Sequence, residues 1–244
     1  SEMCIRDSLY RDGTLNDVLD KWDLRYSYQF PSASPSESTA PLSISTEMRH
    51  VCALFSNEVQ CIGQNNYGER GLDPGSTEDL NYPNTLSVSS SSSTVKKVIA
   101  GVSFTCMLMK DGKVYCNVRN SNGQLGDGTS TDSYSPVQVK KDGNALTGVT
   151  DLSEALYHIC AIYGTDDKIY CWGDNTYRQL AWNGTTGVKT VVATNYDTCL
   201  VKESNDSEVE CKGGSLNDTF NMDKEITKLI AGSSHVCALL RGGT

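Results

Sequence analysis

Ten cysteines stand in a chain of 244 residues, and their spacing constrains the fold more than any other feature. With Cys4 set aside, they fall as Cys52/Cys61, Cys106/Cys116, Cys160/Cys171, Cys199/Cys211 and an unpartnered Cys237. The first members recur at intervals of roughly 40 to 55 residues, the self-similarity of a repeat architecture. Within the pairs, the separation grows by one residue from each pair to the next. A hairpin absorbs that growth. If three residues pair on either side of the tip, the loops left over are Ser56-Asn57, then Lys110-Asp111-Gly112, then Gly164-Thr165-Asp166-Asp167, then Glu203-Ser204-Asn205-Asp206-Ser207. All are ordinary hairpin lengths, so the repeats differ only at the tip of a constant scaffold.

The residue alternation fits the same register. Two positions inward from each cysteine pair stand Leu54 and Val59, Leu108 and Val114, Ile162 and Ile169, Val201 and Val209, all aliphatic. The positions between them are mixed, such as Ala53/Gln60 and Leu200/Glu210. A period of two with one apolar face marks strands. Each cysteine pair then lies directly opposite on adjacent antiparallel strands, within reach of a disulfide. The rival reading is that each Cys fills a small buried site. Metal binding is disfavoured, because no C-x-x-C spacing occurs and every pair is separated by a hairpin. A short apolar stretch precedes each hairpin, as in Val95–Gly101 and Ile226–Gly232, with weaker versions at Val149–Leu152 and Val188–Val192. A Gly/Asn turn follows, often with a fourth segment such as Ser135–Val139. Four short strands per repeat is the size of a propeller blade.

These residues resemble the regulator of chromosome condensation repeat family. The match is carried by Gly101 to Cys116 with Asn122-Gly123-Gln124-Leu125-Gly126, by Cys171-Trp172-Gly173-Asp174-Asn175 with Gln179-Leu180, and by Ala231 to Leu239. The first repeat contributes His50 to Leu54 and Asn65-Asn66-Tyr67-Gly68. The resemblance implies an all-β propeller of four-stranded antiparallel blades over residues 42–244. Four repeats and the opening of a fifth are expected, a partial ring, and so a chain that continues past Thr244. The fourth repeat departs from the pattern: Lys212-Gly213-Gly214 follows Cys211 with no Gly-Gln-Leu-Gly segment, and Asp197 stands in place of His. Residues 9–41 read as a poorly matching segment, Ser/Pro-rich from Pro31 to Pro41 and so linker or long loop, with Tyr10 to Phe30 as part of a preceding blade. Ser1 to Ser8 resembles translated sequencing-adapter sequence, so residues 1–8, with Cys4, are set apart as non-native. Ser89 to Ser93 reads as a low-complexity insertion within the first repeat.

Catalysis finds little support. His50, His158 and His235 each stand two residues before a Cys. One repeated position per blade does not converge on one site, so these read as packing and hydrogen-bonding residues. Carboxylates such as Asp166, Asp167, Asp206 and Asp218 fall at turns, where Asp bonds backbone. Asp127-Gly128-Thr129 lacks a calcium ligand set. There is no phosphate-cradling loop and no nucleophile elbow. No catalytic residue, cofactor or metal is expected. The net charge of −9 argues against nucleic acid as a direct partner, and no apolar run is long enough to span a bilayer. Paired cysteines (Cys52, Cys61, Cys106, Cys116, Cys160, Cys171, Cys199, Cys211) imply an oxidising compartment, hence secretion or cell-surface display. Sequons at Asn183, Asn205 and Asn217 are compatible with that.

The expectation is therefore a non-enzymatic protein-interaction scaffold, its partner held by the four hairpin tips. Two alternatives follow from the resemblance: guanine-nucleotide exchange on a small GTPase, and a propeller enzyme or enzyme inhibitor.

Overall fold

The computed structural model describes residues 41–47, 50–56, 58–72, 84–88, 91 and 93–242. Cys4, Trp22, Asn57, most of Ser89–Ser93 and both segments read as non-native or linker (save Pro41) lie outside the described residues. What is described contains nineteen strands and no helix.

The strands form sheets that follow the repeats. The first is β1 (Ser43–Glu47), β2 (His50–Leu54), β3 (Val59–Gly63) and β4 (Asn84–Leu86), in that spatial order. The second is β5 (Val95–Ala100), β6 (Phe104–Met109), β7 (Val114–Val118) and β8 (Ser133–Gln138). A small hairpin of β9 (Lys140–Lys141) and β10 (Asn144–Ala145) follows. The third sheet has three strands, β11 (Val149–Glu154), β12 (His158–Tyr163) and β13 (Lys168–Gly173). The fourth is β14 (Val188–Ala193), β15 (Asp197–Lys202), β16 (Asn205–Gly213) and β17 (Thr219–Asn221), and the opening of a fifth is β18 (Ile226–Ala231) with β19 (Val236–Leu240). All pairings are antiparallel. The whole is a partial ring of propeller blades.

The expected cross-strand register is present. Cys52 faces Cys61 and Leu54 faces Val59; Cys106 faces Cys116 and Leu108 faces Val114; Cys160 faces Cys171 and Ile162 faces Ile169. In the fourth hairpin the register holds at Cys199/Cys211 but then shifts, so that Lys202 faces Asn205. The five-residue loop expected at Glu203–Ser207 is thus a correction: the tip is Glu203-Ser204, and Asn205, Asp206 and Ser207 belong to β16. Met222 N donates to Ser207 O at 2.7 Å, so the neighbouring edge holds this stretch extended.

The core lies between blades. Cys52, Leu54, Val59 and Cys61 of blade 1 pack on Val98, Met107, Met109 and Tyr115 of blade 2. Cys106, Leu108, Val114 and Cys116 pack in turn on Leu152, Ile159 and Ala161 of blade 3. Each blade therefore sends its cysteine pair into the seam with the next. Sheets that meet face to face with both faces apolar read as mixed strands in sequence, which is why alternation is weak in β6 and β12. A second repeating device is a β-bulge in the first strand of blades 2 to 5, between Val95/Lys97, Val149/Asp151, Val188/Thr190 and Ile226/Lys228. A bulge raises local twist, which suits the strand nearest the ring axis.

Candidate functional site

Two features are candidates for function: the sulfur pairs at the blade centres and the hairpin tips at one end. The four pairs are bonded. Cys52–Cys61, Cys106–Cys116, Cys160–Cys171 and Cys199–Cys211 have Cα–Cα distances of 4.2, 4.1, 4.0 and 4.0 Å. That spacing is close to the ~4.5 Å of residues opposite each other without mutual hydrogen bonds. Cys237 is a half-buried free thiol beside Ile230. Among the described residues no group of His, Cys, Asp and Glu is arranged to hold a metal ion.

The histidines are seam residues. His50 Nε2 lies 2.8 Å from Thr105 Oγ1 in the next blade, and His158 Nε2 lies 2.9 Å from Thr198 Oγ1 in the next blade. Burial lowers the pKa of His50 to about 4. Burial also lowers that of His158 to about 4, against the opposing pull of Asp174 and Asp197. Both are held neutral. At the equivalent place between blades 2 and 3 stand Phe104 and Ile159, both fully buried. Asp197 takes the His position in blade 4 and works differently. Its Oδ1 accepts from Ser215 N and Leu216 N, both at 2.7 Å, and its Oδ2 accepts from Thr194 Oγ1 at 3.0 Å. The carboxylate organises a turn that no Gly-Gln-Leu-Gly loop is present to form. His235 is exposed.

At the same end as the His position the loops that begin with Asn recur as one structure, Asn-x-x-Gly in blades 1 and 2 and Asn175-x-x-Arg178 in blade 3, where Arg178 takes the positive φ of the Gly. Asn65 Oδ1 accepts from Arg70 N, Asn120 Oδ1 from Leu125 N and Asn175 Oδ1 from Leu180 N, at 3.0, 2.9 and 3.1 Å. Asp127, considered for calcium, instead accepts from Thr129 N and Asn120 Nδ2 within its own loop. Trp172 donates Nε1–H to Gln124 O of blade 2 at 2.9 Å. Trp182, without a role in the sequence, donates to Thr198 O of blade 4 at 3.0 Å and is buried. Both indoles lock neighbouring blades. Trp172 belongs to the Cys171-Trp172-Gly173 motif and reads there as a packing position, whereas no local pattern marks Trp182.

The tips lie together at the end opposite those loops. Their backbones are tied to the blade entrances: Lys110 N donates to Thr94 O, Val149 N to Gly112 O, Gly164 N to Gly148 O, Val188 N to Asp167 O, Gly187 N to Asp166 O and Glu203 N to Gly187 O, all within 2.8–3.0 Å. Ser56 is an exposed tip residue, bracketed by the Phe55 N to Glu58 O bond at 2.8 Å. Exposed Asp111 and Asp166 pair with Lys113 and Lys168 at 2.9 and 2.7 Å, and each carboxyl is held below its ordinary pKa by that lysine. Lys189 joins Asp206 and Glu225 at 3.5 and 3.0 Å. The structure thus brings tips 2 to 4 into one belt with fixed backbones, while Asp206 turns to a charge network between blades 4 and 5.

A stack of antiparallel blades with a sulfur bridge in each of four defines a disulfide-bearing β-propeller. The regulator of chromosome condensation (RCC1) repeat model matches residues 95–124. The ultraviolet-B receptor UVR8 of Arabidopsis thaliana is 31% identical over 54% of the chain and 29% of its own length. The X-linked retinitis pigmentosa GTPase regulator of Canis lupus familiaris is 26% identical over 67% of the chain and 16% of its own length. An RCC1-like G exchanging factor-like protein of Mus musculus is 29% identical over 62% of the chain and 32% of its own length. Of solved structures, Prp20p from Saccharomyces cerevisiae, described with its binding to Gsp1p and histones, aligns over 84% of the chain and 56% of its own, at 17% identity and a TM-score of 0.69. The CRINKLY WD40 ectodomain of the Arabidopsis thaliana receptor kinase ACR4 aligns over 85% and 63%, at 18% identity and a TM-score of 0.56. The chain thus carries a segment that matches the regulator of chromosome condensation repeat and has the fold of propellers that contain it, and it spans less than a third of the length of each of these three relatives.

Proposed function

We propose that this chain is a non-enzymatic protein-interaction propeller that works in an oxidising compartment, secreted or displayed at a cell surface. The observation that carries the reading is one sulfur bridge at the same cross-strand position of four consecutive blades. A reducing cytosol does not maintain such bridges. Similarity of fold to the ectodomain of the receptor kinase ACR4 supports this reading. The partner is a protein, and the side chains that meet it are those of the tips: Ser56 with Asn57, Lys110 to Gly112, Gly164 to Asp167, and Glu203 with Ser204. Their backbones are pinned and their side chains differ, which is the arrangement of a variable binding surface on a rigid frame. The test replaces all four tips by one common Asn-Gly turn and measures binding to intact cells by flow cytometry. Unchanged melting with lost binding supports the reading; unchanged binding overturns it.

A second reading is regulation of a small GTPase, favoured by the GTPase regulator and exchange-factor names of the relatives. Release of labelled nucleotide from a panel of small GTPases, with oxidised and reduced protein, separates the two. Exchange that survives only after reduction would move the protein to the cytosol.

A further inference from the structure

The third blade lacks a fourth strand, and a side chain takes its place. Asn183 Nδ2 donates to Cys171 O at 2.9 Å while Asn183 Oδ1 accepts from Cys171 N. Gly184 N and Thr185 O continue the pairing on Ile169, at 3.0 and 2.9 Å. One carboxamide thus imitates a strand residue and closes the edge next to a disulfide cysteine. Asn183 also heads a sequon, Asn183-Gly184-Thr185. An N-linked glycan forms when the amide nitrogen bonds to C1 of a sugar. The C1–oxygen bond of a lipid-diphosphate-linked oligosaccharide breaks, the lipid diphosphate leaves, and one amide proton is lost to base. The product is a secondary amide and is trans, so the sugar occupies the position on the same side as Oδ1. That is the edge Asn183 presents to Cys171. Pairing and modification therefore exclude each other at Asn183.

The other two sequons are free of this conflict. Asn205 is exposed at the tip end of blade 4. Its Oδ1 accepts from the Ser207 hydroxyl of its own sequon at 3.1 Å, and its Nδ2 makes no hydrogen bond among the described residues. Asn217 is exposed in the turn between β16 and β17, at the opposite end of the same blade. That turn is anchored elsewhere, by Asp197 through Ser215 N and Leu216 N and by the Cys211 N to Asp218 O bond of 2.9 Å.

We infer that blade 4 carries N-linked glycans at both ends, on Asn205 and Asn217, and that Asn183 stays bare as the edge partner of Cys171. This rests on the oxidising, secretory reading above. Both ends of blade 4 are then covered by sugar, and the partner surface contracts to the tips of blades 1 to 3.

The experiment secretes the full chain from a eukaryotic host and removes glycans enzymatically in heavy-oxygen water, so that each occupied Asn becomes a labelled Asp. Label at Asn205 and Asn217 with none at Asn183 is expected. Label at Asn183 in the folded, secreted protein, or none at Asn205 and Asn217, overturns the proposal. Thiol alkylation of the same sample reports on the compartment reading separately, since bridges form or fail to form whatever the occupancy. Two variants give a second readout. Thr185→Ala destroys the sequon but leaves the Asn183 carboxamide, and its secreted yield and glycoform pattern should match the parent. Asn183→Asp also destroys the sequon but removes the donor to Cys171 O, and its melting temperature should fall. Equal melting of the two variants would remove Asn183 from its structural role.

Discussion

Single residues decide how the blades close. Gly173 ends the third strand of its blade with φ of 100°, and a Cβ there would stand 2.3 Å from Tyr157 O. Gly63 and Gly213 hold the same place with φ of 114° and 156°. Only Val118 breaks the pattern, at φ of 91°, a conformation that is a true outlier for a β-branched residue. Gly173→Ala is expected to cost about 2–4 kcal/mol by urea unfolding, since strain and backbone collision coincide; a loss below a few tenths would contradict the geometry. The two buried histidines set a pH dependence. Their native pKa values near 4 lie below the unfolded 6.5, so the unfolded chain takes up protons first as pH falls. Stability is intact above pH 6.5, drains away between 6.5 and 4, and each His accounts for about 2 kcal/mol by pH 5. The pair His158→Phe with Thr198→Ile copies the Phe104/Ile159 seam. It should flatten this acid limb by about half in a melt-versus-pH series, whereas an unchanged limb would exclude the histidines as its source.

At the scale of the strand and hairpin, much was legible in the sequence. The Cys52/Cys61 register, the aliphatic couple beside it and the tips of the first three hairpins follow from a period of two and a short loop, both local properties. The fourth hairpin was not legible past Cys211, because the extension of β16 through Asn205 depends on β17, whose pairing Val209/Phe220 has no echo in the local pattern. Nor was the missing fourth strand of blade 3, because a carboxamide standing in for a peptide looks like any surface Asn. Closing a loop of about ten residues with a disulfide stabilises by roughly 2.5–3 kcal/mol in the chain-entropy model. Cys160→Ala with Cys171→Ala should therefore lower the unfolding free energy by about that amount and leave the other three bridges formed. Loss of the neighbouring bridges in the same variant would mean that the hairpins do not fold as separate units.

Across the molecule, what holds the ring together is seam chemistry: His50 to Thr105, Trp172 to Gln124, Trp182 to Thr198, Lys97 to Asp151 at 2.8 Å. The sequence marks the histidines as a repeated hydrogen-bonding position, but the partners on the facing blade are not visible in it, since each lies 16 to 55 residues away on another blade. A repeat array of this kind gains stability from each interface as well as each unit. The tip surface belongs to this scale too, because it exists only when several blades present their hairpins side by side. The account rests on one bridge within each hairpin, repeated around the ring. Peptide mapping of the unreduced protein after alkylation is the most direct measurement. It should return Cys52–Cys61, Cys106–Cys116, Cys160–Cys171 and Cys199–Cys211 as linked peptides; bridges between different hairpins, or four pairs of alkylated thiols, would contradict the account.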